Sequence, residues 1–139
     1  MIKQLSLLLI SVGFVAGAVL HFTHDADLVA ITPLPYAYPI VWVTGIMECL
    51  FALFLWLPRY RTATGLWLCV FCVMVLPANI NMAINDIPMF GEHVDPVLRW
   101  LRIPAQFGLI AWILYAVDGY AALRQRGWQA FGCNKTAAH

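Results

Sequence analysis

Four apolar stretches, each close to the length of a bilayer crossing, dominate what this chain can become. They cover about residues 4–22, 39–57, 62–84 and 102–123. A helix rises ~1.5 Å per residue, so about 20 residues cross the ~30 Å hydrocarbon layer. The first stretch has no charge after Lys3, the second carries only Glu48, and the third carries none. Of the 139 residues, 63% are hydrophobic and 11% charged, against about 45–50% and 25% in soluble domains. A soluble domain of this size could not bury so much apolar surface. A soluble globule and a disordered tail are therefore excluded. The net charge of +1 offers no polybasic surface, so a nucleic-acid partner is excluded too. Short strands of alternating polarity, the mark of a membrane barrel, are absent. The reading is an all-α transmembrane four-helix bundle, one domain over residues 1–139, with the lipid bilayer as its main partner.

Lys3, the apolar run behind it and Ala16-Gly17-Ala18 imitate a secretory leader. The run is long, and His21-Phe22 stands where a small-residue cleavage site would be, so a retained first helix is expected. Basic residues set orientation. Lys3 precedes span one, Arg59 and Arg61 fill the loop after span two, and Arg124, Arg126 and Lys135 follow span four. The other two loops hold Asp25, Asp27, Asp86, Glu92 and Asp95, with Arg99 the one basic residue before Arg102. Both termini are thus expected in the cytoplasm and the acidic loops outside, in a multi-pass protein of the cell inner membrane.

Prolines punctuate the loops. Pro33, Pro35 and Pro39 prevent a regular helix throughout the first outward loop, and Tyr36 and Tyr38 suit the headgroup level. The second outward loop, Asn85 to Arg99, is expected to have room for a short interfacial helix. Pro58 stops span two, and Pro104 is placed in a helix first turn. Pro77 lies inside span three, where it should free the Val73 carbonyl and kink the helix. The tail after about Gly127 is expected to be loosely ordered.

Ionisable and amide groups inside spans are costly and point to function. Glu48 lies about 14 Å below Pro39 at 1.5 Å per residue, near the midplane. It must face the bundle interior, where Gly45 and Ala52 on its own face leave room beside it. His21 ends a stripe with Gly13 and Gly17 at steps of four. Asn79 and Asn81 lie near the outer end of span three, and Arg99, Arg102 and Gln106 share a face of span four. With orientation assigned, His21, Asn79, Arg102 and Gln106 fall in the outer third with Glu48 below them. Together they are expected to line a ligand pocket that opens outward and narrows onto the carboxyl. Each also has a structural alternative. Arg102 could snorkel to the headgroups, and His21 could end a helix. Asn79 could satisfy the carbonyl freed by Pro77, and Glu48 could be held as glue by Gln106 or a hydroxyl.

The Cys69-x-x-Cys72 pair sits in an apolar helix with no basic neighbour, so it reads as core rather than redox centre. No cysteine lies in the outward loops, which argues against an exported disulfide relay. His21, His24, Asp25, Asp27 and His93 could meet at the outer face, but His21 and His24 alone do not make a metal site, and none is expected. Phosphate loops and hydrolase triads are not found in the sequence.

Ala16-Gly17-Ala18-Val19-Leu20-His21-Phe22, Gly45-Ile46-Met47-Glu48, Pro77-Ala78-Asn79-Ile80-Asn81-Met82-Ala83 and Leu101-Arg102-Ile103-Pro104-Ala105-Gln106 together resemble the DoxX-like superfamily of small four-helix membrane proteins. The resemblance spans all four apolar stretches. It implies a four-helix inner-membrane bundle. Some relatives are subunits of thiosulfate:quinone oxidoreductases and others resemble maturation factors, so it leaves the chemistry open.

Two classes of function follow. In the first, the chain is an accessory or subunit of a quinone-linked redox system. Gln106, His21 and Asn79 would supply donors to a quinone, Arg102 would favour its reduced anion, and Glu48 would relay a proton. A redox partner subunit would then deliver the electrons, because the sequence has no flavin, haem or metal motif. In the second, it is a non-enzymatic small-molecule binder, transporter component or membrane-protein assembly factor. A plain structural subunit is a third alternative. No residue is assigned as catalytic, and a homo-oligomer fits any of these.

Overall fold

The computed structural model describes residues 1–130, with side chains through Gln125. Six helices follow one another: α1 (Ile2–Thr23), α2 (Asp25–Ile31), α3 (Ala37–Phe54), α4 (Arg61–Asn85), α5 (Pro96–Ala116) and α6 (Gly119–Ala130). Among the described residues there is no strand beyond an isolated bridge from Met89 to Glu92. α1, α3, α4 and α5 are each long and apolar enough to cross a membrane. Their outward faces carry Val12, Val19, Ile46, Leu53, Trp67, Val70, Leu98 and Phe107, all exposed. A surface this apolar is the inverse of a soluble protein's and suits contact with lipid chains.

Three expected boundaries shift. The fourth span begins at Pro96 rather than at Arg102, because Asp95 caps it, accepting a bond from the Val97 amide at 2.8 Å, and Pro96 occupies the first turn. Pro104 consequently lies inside α5, not in a first turn, and the loop from Asn85 to Asp95 has no interfacial helix. The short extra helix is α2, in the connection between α1 and α3. The span does not continue to Leu123: it stops at Ala116, and Asp118 turns the chain at φ 57° before α6. Asp is one of the few residues that tolerate this left-handed conformation. α6 reaches Ala130, and the rest of the expected loose tail, with Cys133, Lys135 and His139, lies outside the described residues.

The long helices form a ring in the order α3–α1–α5–α4. α1 packs closely on α3 and α4 on α5, α1 also meets α5, and α3 and α4 touch only sparsely. Lipid tails are as apolar as Leu, so close backbone approach and hydrogen bonds must hold such helices together. At the α1–α3 crossing, a Cβ on Gly45 would lie 2.6 Å from His21 Cβ, and one on Gly17 would lie 2.7 Å from Glu48 Oε2. Each glycine thus makes room for a polar side chain of the opposite helix. Lower in the same crossing, Trp56 Nε1 donates to Ser11 Oγ at 3.1 Å, and Ser11 Oγ donates to the Ala52 carbonyl at 3.4 Å.

One end of the bundle is dry. Leu7, Ile10, Leu55, Leu68, Phe71, Ile113 and Val117 pack there into a single cluster from all four long helices. Lys3 forms an ion pair with Asp118 at this end, Thr62 Oγ1 donates to the Val117 carbonyl at 3.0 Å, and Arg61 Nε donates to Leu55 at 3.0 Å. The start of α1 and the finish of α5 therefore lie together. At the other end α2 packs on α1, α3 and α4. Ile31, Met82 and Met89 form a second, smaller cluster there. The polar residues lie between the two clusters.

Glycine substitution separates these roles. Gly13 has nothing within 4 Å of a built Cβ, so Gly13→Ala leaves the melting temperature in detergent unchanged or raises it. Gly45→Ala drives a methyl into the fixed Cβ of His21 and lowers stability by about 1–3 kcal/mol, read by thermal unfolding of the purified protein.

Candidate functional site

α1 and α3 bring His21 to Glu48. The His21 ring nitrogen Nδ1 lies 2.7 Å from the Val41 carbonyl. A carbonyl only accepts, so Nδ1 carries the hydrogen and donates. Thr44, one turn from Glu48, braces the same nitrogen at 3.2 Å while its hydroxyl donates to the Ile40 and Val41 carbonyls at 2.9 Å. With Nδ1 fixed, Nε2 faces Glu48 Oε1 at 3.7 Å. The other carboxyl oxygen, Oε2, is buried and has no hydrogen-bond partner. One carboxyl oxygen thus faces the imidazole beyond hydrogen-bond distance, and the other rests against Gly17 without a partner.

α4 and α5 contribute an amide pair. Asn79, 7% exposed, donates from Nδ2 to Gln106 Oε1 at 3.3 Å, and Gln106 Nε2 donates to the Cys72 carbonyl at 2.9 Å. The alternative role of Asn79, serving the carbonyl freed by Pro77, is not taken up by its amide, which donates to Gln106. α4 runs through Pro77 without a break, and the side chain that serves a backbone carbonyl near the proline comes from α5. Gln106 does not hold Glu48 either.

Arg102 turns inward. Its Nη1 lies 3.1 Å from Met82 Sδ and 3.2 Å from Met89 Sδ. Thioether sulfurs are weak acceptors, and no carboxylate pairs with Arg102 among the described residues. The carboxylates of the preceding loop serve elsewhere: Asp95 caps α5, and Asp86 pairs with Arg99, itself 8% exposed. A half-buried guanidinium that rests only on sulfur keeps most of its donors free.

His21, Glu48, Asn79, Arg102 and Gln106 all border one cavity of about 290 Å³. The sequence set four of these above Glu48, and the fold brings all five round one space. The end of the bundle next to α2, expected to be open, is covered. Asn81 Nδ2 donates to the Ile31 carbonyl at 2.9 Å, Asp27 accepts from the Phe90 amide at 3.2 Å, and His24 stacks edge-on against Phe90 at 4.8 Å. On its other side Glu48 borders a second cavity of about 260 Å³ between α1 and α5, beside Gly13.

The remaining candidates disperse. His93 lies 3.2 Å from Asp86, Asp25 accepts from Trp42 Nε1 at 3.3 Å, and His24 faces Phe90. No group of three metal-ligating side chains forms among the described residues. Cys72 is buried in the dry cluster, and Cys69 approaches the Ile110 carbonyl at 3.9 Å. Sequence reasoning missed Thr44, Met82 and Met89. Thr44 could have been found, since it sits at i−4 from Glu48 on the buried face. Met89 belongs to a loop whose path no local pattern encodes.

The family profile described as a domain of unknown function, DUF8561, matches residues 10–117. The chain belongs to this family. No curated protein and no solved structure matches the chain. The DUF8561 match takes in all five cavity residues named above and ends at Val117, leaving α6 outside it.

Gln106→Leu removes both bonds that this side chain makes from α5 to α4. Interhelical hydrogen bonds in membranes contribute about 0.6–2 kcal/mol each, so the substitution lowers stability by about 1–3 kcal/mol. Asn79→Leu removes one bond and costs about half as much. Unfolding of each variant in mixed micelles measures both.

Proposed function

We propose that this DUF8561 protein is a DoxX-like, four-span protein of the inner membrane that holds a quinone head group. It would serve as an accessory or subunit of a redox system whose partner subunit carries the electrons. The observation that carries this reading is the meeting of Arg102, which no carboxylate pairs among the described residues, with the Glu48–His21 pair around one cavity. A quinone head is a flat, mostly apolar ring with two oxygens that accept hydrogen bonds. The lining suits it: aliphatic and thioether side chains form most of the wall, and the polar groups are few and converge. At about 290 Å³ the space lies at the lower edge of the ~300–1,000 Å³ usual for small-molecule sites, room for a head group rather than a whole lipid.

When bound, a quinone supplies two-electron, two-proton chemistry. Arg102 would donate to a ring oxygen and favour negative charge on it. Glu48, with Oε2 free and Oε1 facing His21 Nε2, would hold a proton at the floor of the cavity. Asn79 and Gln106 are engaged with each other and with Cys72, so they would shape the wall more than recognise the ligand. That engagement also favours a second reading. Recognition left mainly to one cation and one acid would suit a non-enzymatic binder, transporter component or assembly factor acting on another small polar-headed molecule.

Quinone analysis of protein extracted in mild detergent tests the first reading. Wild type carries quinone, and Arg102→Ala reduces its affinity about 10–100-fold, the loss expected for a hydrogen bond to a charged donor. Glu48→Gln reduces it less. A quinone-free preparation that binds other polar-headed molecules favours the second reading. Cytoplasmic termini, proposed from the basic loops, predict that a cysteine at Glu92 reacts with an impermeant maleimide on intact cells. A cysteine at Arg59 reacts only after lysis.

A further inference from the structure

The cavity has a covered end and an uncovered side. Toward α2 it is roofed: α2 reaches across from α3 to α4, and Met89 closes over Arg102. Toward the dry cluster it ends on Phe71, whose ring meets Phe51 at 5.6 Å. Between α3 and α4 the situation differs. These helices are neighbours in sequence, yet they touch sparsely. Their short connection, Leu55 to Tyr60, ties them together at the dry end only. Farther up, three residues that line the cavity are themselves exposed on the bundle's flank: Leu34 at 56%, Met74 at 72%, and Pro77. Met74 and Pro77 lie three residues apart on one face of α4. The same three side chains therefore face the cavity and the apolar exterior, which in a bilayer is hydrocarbon.

We infer that the cavity is filled sideways from the membrane, through the gap between α3 and α4, by an amphiphile whose polar head enters while its hydrocarbon tail stays among the lipids. The inference rests on the proposal that the cavity holds a ligand, and it specifies which class: molecules dissolved in the bilayer, not solutes from water. The size of the space agrees, since about 290 Å³ does not take a head group and a long tail together. The chemistry of the doorway agrees as well. Its rim is aliphatic, thioether and proline, which a tail can lie against, and the charged groups begin only deeper inside, at Glu48 and Arg102.

The test uses the full chain in lipid nanodiscs with two probes, decylubiquinone and its tail-free counterpart, ubiquinone-0. Met74→Trp with Leu34→Trp narrows the gap and slows association of decylubiquinone at least tenfold, with little change for ubiquinone-0. Met74→Ala with Leu34→Ala widens the gap and speeds decylubiquinone severalfold. Val12→Trp, on the exposed face of α1, changes neither rate. Wild-type rates for decylubiquinone in both doorway variants overturn the sideways route and leave the pocket standing. So does acceleration confined to Asp27→Ala, which loosens the roof. A wild-type protein that binds neither probe overturns the pocket itself, and this inference with it.

Discussion

The polar level of this bundle depends on two missing side chains. His21 lies against α3 because Gly45 has no Cβ to meet it, and the Glu48 carboxyl reaches α1 because Gly17 has none. Each helix is thus notched where the other projects a costly group. In hydrocarbon, helices gain little from hiding apolar surface against each other. Contact must come from fit and from hydrogen bonds, and this crossing supplies both at one place. A methyl at Gly45 would push against backbone-fixed atoms. A methyl at Gly17 would meet only the end of a flexible side chain, and would move the carboxyl more than the helix.

Around that crossing the bundle divides by level. The dry end is filled by Leu, Ile, Val and Phe from four helices and closed by Lys3 on Asp118. The α2 end has Met82 and Met89 beside Ile31 at its centre and is tied by scattered single bonds. Methionine is flexible and polarisable, so this end can adjust its shape in a way the branched and aromatic cluster cannot. The cavity lies where the two fillings meet, bordered by Phe71 on one side and Met89 on the other.

Much of this was legible in sequence, for physical reasons. Scarcity of charge located the four spans, and the cost of an ionisable group in hydrocarbon singled out Glu48, His21 and Arg102. Helical periodicity put Gly45 and Ala52 beside Glu48, as found. The start of α5 was misjudged because Arg99 and Arg102 looked like the edge of the membrane. Yet Asp95-Pro96 carried a capping signal that outweighs hydropathy for a helix boundary. Arg99 escaped notice as a buried residue because its partner, Asp86, follows α4 across a loop. The roof could not be foreseen either. It depends on where α2 and the Met89–Glu92 turn fold back, and that path is set by tertiary contacts rather than local pattern.

The strong pairings, α1 with α3 and α4 with α5, make the protein two leaves hinged at the Leu55–Tyr60 loop, with α5 against α1 as the clasp. The cavity is the space between the leaves, and its wall draws on both. Whatever sits there touches α1 and α3 on one side and α4 and α5 on the other. It would thus act as mortar along the seam where the protein's own contacts are thinnest. Occupancy and cohesion are then one quantity measured two ways.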